Sequence, residues 1–250
     1  MYPEFRLVVG TTRVAVSVHG LAILLGVGAG AALAAQRARA RAPVLLAVAV
    51  ISAVALVASH GLFRGLHGGG GGFWSGGLAS SGGIVAGLLT AWVIARPLGC
   101  APADLLDAIV PAGLLALGIG RVGCFLAGCC YGRPTTLPWG VVFPDLGPPP
   151  RHPLQLYSAA ADVALVALLP ARAAVPGAVA RRGCVGFALV RAVLECLRDH
   201  GATGLLPGGW ITLPHALAVV LMTGVALLPR LRPQGPSTMP PARRTPAHGR

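Results

Sequence analysis

Residues that can do chemistry are concentrated between two apolar stretches of this 250-residue chain. The concentration begins at 120–133 with Gly-Arg-Val-Gly-Cys-Phe-Leu-Ala-Gly-Cys-Cys-Tyr-Gly-Arg and closes at 151–157 with Arg-His-Pro-Leu-Gln-Leu-Tyr. Guanidinium, thiol, imidazole, amide and phenol groups thereby collect at the ends of apolar segments. A membrane chain that gathers polar groups at one depth usually handles a headgroup, an ion or a substrate there.

A second polar group lies further along the chain. Arg191, Glu195 and Arg198 have the spacing i, i+4 and i+7 and share one face of a helix. They could form a structural ion pair inside a bundle, or an interfacial face whose long side chains reach water. They could also form an anion site in which Glu195 orients an arginine, because the planar guanidinium suits bidentate phosphate binding.

Cys124, Cys129 and Cys130 allow several interpretations. A disulfide is plausible if they face an oxidising compartment. A metal site needs about four ligands, and the C-x4-C-C spacing has no obvious completing pair, so a metal is not expected. A thiol nucleophile lacks an identified base. The plainest interpretation is that they are small residues at a helix end.

The remaining candidates are single residues or short runs. His152 precedes Pro153 at a helix start and could act as a base, a hydrogen-bond donor or a cap. Gln155 and Tyr157 follow in the first helical turn, near the interface. His19 could hydrogen-bond inside the bundle. The run at 80–83, Ser-Ser-Gly-Gly, allows close helix packing.

Composition identifies what must position these groups. Mean hydropathy is +0.75 and only 11% of residues are charged, whereas soluble domains carry roughly 25%. The formal charge of +13 does not indicate nucleic-acid binding, because the arginines flank apolar runs and form no continuous basic surface. The sequence predicts an all-α, polytopic membrane protein with about seven transmembrane helices, near 16–35, 43–63, 78–95, 104–120, 154–176, 183–197 and 211–229. Arg121 then lies just past the fourth segment.

These segments define the expected domain organisation and orientation. Residues 1–15 form an N-terminal segment, 16–229 the membrane domain and 230–250 a disordered tail rich in arginine and proline. The loops after the first, third and fifth segments and the C-terminal tail together hold 12 arginines, whereas the N-terminus and the other three loops hold 7. Because cytoplasmic loops carry more arginine, the N-terminus is predicted outside and the C-terminus inside. The polar motif at 120–157 then faces the exoplasmic side.

Taken in order, these motifs resemble those of the bacterial prolipoprotein diacylglyceryl transferase family, over most of residues 16–229. Asp107 and Pro111 also stand where that family tends to have them. The resemblance implies an enzyme of the bacterial inner membrane that transfers the diacylglyceryl group of phosphatidylglycerol to the lipobox cysteine of a prolipoprotein, with release of glycerol phosphate. It implies no metal and no organic cofactor. Its expected partners are phosphatidylglycerol, membrane lipid and the lipobox segment.

The resemblance also implies roles for individual residues. Arg121 and Arg191 would bind the phosphate, and Glu195 would position Arg191, so these three are the expected catalytic residues. The expected substrate-binding residues are His19, Ser81, Gly82, Gly83, Cys124, His152, Gln155, Tyr157 and Arg198.

Three positions depart from the family pattern. Ser81 stands where a histidine, a proposed base, is usual; Cys124 replaces an asparagine, and His19 replaces a tyrosine. Either His19 or His152 takes over proton handling, or the base is less essential, or the chain has altered activity. The alternative function is therefore a silent paralogue that binds phospholipid or lipoprotein. A transporter or channel is disfavoured, because the polar groups cluster at one interface and do not continue to the midplane.

Overall fold

A computed structural model describes residues 4–9, 12–38, 41–67, 79–172 and 174–199. The predicted seventh segment at 211–229, the tail at 230–250 and the glycine run at 68–72 lie outside the described residues. Within them a two-stranded hairpin precedes six helices: β1 Glu4–Val9, β2 Thr12–Ser17, α1 Val18–Arg37, α2 Arg41–His67, α3 Ser80–Ala95, α4 Pro102–Leu126, α5 Leu154–Leu168 and α6 Ala178–Glu195.

Within the described residues, the hairpin departs from the predicted all-α architecture. β1 and β2 pair antiparallel, with Glu4 opposite Ser17 and Val9 opposite Thr12. Each strand contains two valines, and β2 also begins with a threonine; their branched side chains favour extended backbone. Ser17 ends the hairpin and caps α1, because its hydroxyl accepts a hydrogen bond from the Gly20 backbone N–H at 3.2 Å.

The six predicted apolar segments between 16 and 197 each correspond to a helix, but three predicted boundaries were clearly wrong, one of them being the start of α6 at Ala178 and not at residue 183. α4 continues to Leu126 and not to residue 120, which places the polar motif partly inside the helix. α5 ends at Leu168 and not at residue 176. Pro170 explains the early end, because a proline disfavours helical backbone at the residue before it.

α4 is the central helix of the described bundle, and it packs against α1, α3, α5 and α6. One apolar cluster joins it to α1, α2 and α3 and contains Ala34, Val44, Ala47, Ile51, Ala91, Ala95, Leu105, Ala108, Ile109 and Ala112. A second cluster joins it to α5 and α6 and contains Val110, Leu114, Leu169, Val179, Ala180 and Phe187. Because one helix contributes to both clusters, residues on its two sides are held in fixed relation.

Two glycines of α1 let this helix approach α4 closely. A Cβ atom on Gly26 would lie 2.7 Å from the Ala116 carbonyl oxygen, and one on Gly30 would lie 2.8 Å from that of Ala112. Small residues of this kind are typical of helix contacts inside membranes, where packing rather than the hydrophobic effect drives association.

Asp107 ties α6 to α4. Its carboxylate accepts hydrogen bonds from the backbone N–H groups of Gly177 and Ala180, both at 2.7 Å. The carboxylate therefore caps the start of α6, where the helix dipole favours negative charge, although it belongs to α4. These two hydrogen bonds fix the position of the start of α6 relative to the central helix. α6 carries Arg191 and Glu195.

Three described helices are long and apolar enough to cross a membrane: Val18–Arg37, Arg41–Gly65 and Pro102–Leu126. Large apolar side chains on the outside of the bundle are exposed, among them Leu24, Leu25, Val93 and Leu168. An outer surface of this composition fits contact with lipid. The chain is accordingly a polytopic membrane protein.

Candidate functional site

An ion pair at the end of α6 forms the centre of the candidate site. Arg191 Nη2 donates to Glu195 Oε2 at 3.0 Å, and the two residues are 8% and 2% exposed. Arg198 Nη1 lies 4.0 Å from the same oxygen. The helix ends at Glu195, so Arg198 follows it and does not continue its face as predicted. Even so, the structure brings all three predicted residues together around one carboxylate.

Asp162 on α5 is a site residue that the motif analysis missed. It is 2% exposed, and Arg121 and Arg191 lie close enough to act on its charge. Gln155, Ser158 and Asp162 follow one face of α5 and are all buried. One signal could have found it, because Asp162 is the only charged residue between Arg151 and Arg172, in an otherwise apolar segment.

Arg121 lies inside α4 and not beyond it, which corrects its predicted position. The helix continues past it to Leu126 and turns at Gly128, whose φ of 75° suits a residue without a Cβ atom. Arg121 Nη2 donates to Ser80 Oγ at 3.4 Å, so it connects α4 to the first turn of α3. Ser80, which was not predicted as a site residue, is therefore the serine that contacts this arginine.

Ser81, Gly82 and Gly83 lie in the same first turn of α3, and the two glycines pack against α2. A Cβ atom on Gly83 would lie 2.3 Å from Ser59 Oγ, and one on Gly82 would lie 2.9 Å from the Ala58 carbonyl oxygen. The glycines thus set the approach of two helices, as their small size predicted. Ser81 is half-buried in that turn.

The loop after α4 forms one backbone hydrogen bond to the segment after α6 and another to its own later part, just before α5. The Arg133 N–H donates to the Leu197 carbonyl at 2.9 Å, and the Gly132 N–H donates to the His152 carbonyl at 2.9 Å. Gly132 and Arg198 also form an isolated β-bridge. The two polar stretches recognised in the sequence are consequently neighbours in space, although about 60 residues separate them along the chain.

Side chains at the rim of this loop form two short chains of contacts. Arg151 forms a salt bridge with Asp199, and its guanidinium lies 5.1 Å from the centre of the Tyr131 ring. His152 Nδ1 lies 3.4 Å from the Tyr157 hydroxyl, which accepts a 2.7 Å hydrogen bond from Trp139 Nε1. His152 and Tyr157, both expected substrate-binding residues, are therefore neighbours in this loop.

Gln155, in the first turn of α5 next to the loop, is almost completely buried, at 1% exposure. Its Nε2 donates to the Cys129 carbonyl, which holds the cysteine turn against α5. Its Oε1 is buried, and no other group within the described residues donates a hydrogen bond to it. A buried acceptor in this state is a candidate for contact with a bound molecule.

The three cysteines of the motif lie together. The sulfur atoms of Cys124, Cys129 and Cys130 are all within 4.8 Å of one another, and no disulfide joins them. Hydrogen bonds from Cys124 and Cys129 lower the pKa of the Cys130 thiol, and the nearby Arg121 and Arg198 lower it further. Cys124 Sγ is 3.7 Å from His19 Nδ1, so the structure also brings His19 of α1 to this cluster.

Comparison with known proteins is consistent with the motifs. Residues 7–229 match the family model described as prolipoprotein diacylglyceryl transferase. A phosphatidylglycerol–prolipoprotein diacylglyceryl transferase of Nitratidesulfovibrio vulgaris (strain Miyazaki F) is 37% identical over 175 residues, covering 68% of this chain and 66% of that protein. Those of Legionella pneumophila (strain Corby) and Coxiella burnetii (strain Dugway) are 33% and 34% identical, each covering 62% of both proteins. The matched region thus spans slightly less than two thirds of the length of these relatives.

Proposed function

The chain belongs to the prolipoprotein diacylglyceryl transferase family, and from this we propose that it transfers the diacylglyceryl group of phosphatidylglycerol to the lipobox cysteine thiol of a prolipoprotein. The observation that carries the proposal is the buried Arg191–Glu195 pair with Arg198 beside it. Burying charged side chains inside a membrane bundle is costly, so charged residues found there usually have a function.

Charge in the site fits a phosphodiester. Among the described residues it contains three guanidinium groups, of Arg121, Arg191 and Arg198, against two carboxylates, of Asp162 and Glu195. The excess of one positive charge matches the single negative charge of a phosphatidylglycerol phosphate. Inside a low-dielectric bundle that match matters far more than it would in water.

The arginines and Glu195 have different roles in the proposed reaction. The acceptor thiol gives its proton to water or to the leaving phosphate, and its sulfur forms a bond to a glyceryl carbon. The bond from that carbon to the phosphate oxygen breaks, and its electron pair stays on the phosphate as glycerol phosphate leaves. Negative charge grows on the leaving phosphate, so arginines held in place beforehand stabilise the transition state more than the bound substrate. Glu195 keeps Arg191 in position, and Arg121 approaches from α4.

The unfilled hydrogen-bond capacity of Gln155 supports a headgroup in the same place. Its buried Oε1 would accept a hydrogen bond from a glycerol hydroxyl, which an apolar lipid tail could not donate. Tyr157 and His152, at the rim of the loop, would lie on the entry path of the lipobox segment.

We propose the predicted topology for the 250 residues of the chain: seven helices, the N-terminus and the site on the exoplasmic side of the bacterial plasma membrane, and the C-terminal tail inside. The excess of arginines on the tail side supports this orientation. A reporter that is active only in the cytoplasm, fused after Arg250, should be active. If only a reporter that works in the periplasm is active at that position, the proposed orientation is wrong.

A transfer assay tests the activity. Purified full-length protein is mixed with phosphatidylglycerol vesicles and a lipobox peptide, and the peptide should gain the diacylglyceryl mass while glycerol phosphate is released. Arg191→Ala should abolish the product, whereas Arg182→Ala, at an exposed arginine of the same helix, should not. Binding of phosphatidylglycerol without any transfer would reject catalysis and favour the silent paralogue that Ser81 suggests.

A further inference from the structure

We propose that Cys124, Cys129, Cys130 and His19 form a four-ligand site for a divalent metal ion that prefers thiolates, with zinc as the best match. The sequence alone favoured no metal, because no fourth ligand stands near the cysteines in the chain. His19 supplies it from 105 residues away, which no local spacing could reveal.

The three sulfur atoms lie near the separations of a tetrahedral ion, and His19 Nδ1 lies at such a distance from one of them, Cys124 Sγ. A zinc–sulfur bond of about 2.3 Å places neighbouring tetrahedral donors about 3.8 Å apart. Cys124 Sγ and His19 Nδ1 are 3.7 Å apart, and the three sulfur atoms lie within 4.8 Å of one another. Small side-chain rotations would bring the sulfurs to the ideal separation.

The backbone turns sharply to bring the cysteines together. Cys124 lies in the last turn of α4, and the chain reverses so that the Cys129 N–H donates to the Cys124 carbonyl at 3.1 Å. Cys130 has a φ of 61°, the only non-glycine residue of the described chain in the left-handed region. A residue with a side chain adopts that conformation at a cost, and such residues cluster at functional sites.

His19 reaches the cluster because α1 packs tightly on the end of α4. A Cβ atom on Gly123 would lie 2.5 Å from Ala22 Cβ and 3.4 Å from His19 Nδ1. A side chain at position 123 would therefore collide with Ala22 and move the start of α1, which carries His19, away from the end of α4. The close contact between α1 and α4 therefore explains why position 123 is a glycine, and this explanation does not involve the cysteines.

The donor set indicates the kind of ion. Three sulfurs and one imidazole nitrogen match the Cys₃His composition of structural zinc sites, and they do not match magnesium or calcium, which take oxygen ligands. Three thiolates around a divalent cation leave one negative charge, and Arg121 lies close enough to act on it. The ion would fasten the start of α1 to the end of α4 next to this arginine.

The experiment measures metal binding rather than transfer. The full-length chain, purified in detergent without chelators and freed of any histidine tag, should contain one zinc ion per chain by elemental mass spectrometry. After replacement by cobalt it should show thiolate charge-transfer absorption and the visible bands of a tetrahedral ion. Because the readout is spectroscopic, it can fail while lipid transfer succeeds, and the reverse.

Variants separate the ligands from other residues. Cys129→Ser should lose zinc and weaken the thiolate absorption, and His19→Gln should shift the visible cobalt bands while thiolate absorption persists. Cys100→Ser, outside the cluster, should behave like the wild type. Wild-type protein with reduced thiols that takes up neither zinc nor cobalt would overturn the proposal. A disulfide between two of the three cysteines in protein taken directly from membranes would do so too.

Discussion

Arg191 donates to Glu195 at 3.0 Å, one helical turn away, and both side chains are almost completely buried. A buried pair of this kind contributes little net stability, because desolvation offsets most of the attraction. Its value lies in position. Glu195 restrains one side of the Arg191 guanidinium, and in the proposed function the other N–H groups of Arg191 contact the phosphate.

Glu195→Gln tests that restraint. The variant keeps the size of the side chain but leaves Arg191 buried without its counter-ion. We expect transfer to fall at least 100-fold, which corresponds to about 2.7 kcal/mol of transition-state stabilisation. Unfolding in detergent should also become easier, by roughly 3–5 kcal/mol if the buried guanidinium finds no other anion. Arg182→Ala is the matched control on α6, and transfer at the wild-type rate by Glu195→Gln would contradict the assigned role.

Arg121→Lys separates charge from geometry. Lysine keeps the positive charge but cannot present two parallel N–H groups to a phosphate. We expect a clear loss of transfer with little loss of stability, because Arg121 is only half-buried. Ser80→Ala removes the 3.4 Å contact of Arg121 with α3 and should have a much smaller effect. If Arg121→Lys transfers like the wild type, bidentate phosphate binding by this residue is wrong.

The positions of these residues show which part of the site the sequence could predict. Arg191 and Glu195 are one turn apart on one helix, so hydropathy and helical periodicity were sufficient to pair them. The contacts of Arg121 with Ser80, and of Cys124 with His19, cross between helices far apart in the chain. They depend on how α4 packs against α3 and α1, and no local pattern encodes that packing.

Helix boundaries were missed for a related reason. α4 extends past Gly120, where Gly123 allows α1 to pack closely against it. A hydropathy window gives glycine and arginine low scores, so it ended the predicted helix too early. Asp162 was missed because it belongs to no motif, although a lone acid in an apolar segment was visible. The hairpin before α1 consists of 6-residue strands, too short for a signal at membrane-helix length.

Asp162→Asn tests the carboxylate that only the structure revealed. Removal of one negative charge near Arg121 and Arg191 should strengthen binding of an anionic headgroup but let the arginines shift. We therefore expect a lower turnover number with a KM for phosphatidylglycerol that is unchanged or lower. Ser158→Ala, one turn earlier on the same buried face of α5, is the control and should change neither parameter strongly. An increased KM with unchanged turnover would argue against this electrostatic role.

Ser81→His tests whether the first turn of α3 is the position of a base. An imidazole can accept a thiol proton near neutral pH, whereas a neutral serine hydroxyl cannot. We expect the variant to transfer faster than the wild type, with the gain growing as pH rises through the range where histidine loses its proton. Ser80→His, one residue earlier, removes a contact of Arg121 and should lower transfer. Equal rates for Ser81→His and the wild type at every pH would show that Ser81 does not occupy the base position.

Gly123→Ala tests the contact between α1 and α4 that shapes the site. The new methyl group would lie 2.5 Å from Ala22 Cβ, so one helix must move. Overpacking of this size costs about 1–3 kcal/mol, which should appear as a lower midpoint of unfolding in detergent. Gly113→Ala is the matched control, because its Cβ atom would meet nothing within 4 Å on the same helix. Alanine favours helix relative to glycine, so Gly113→Ala should be neutral or stabilising. If the two variants unfold alike, the close approach of α1 to the end of α4 is not as described.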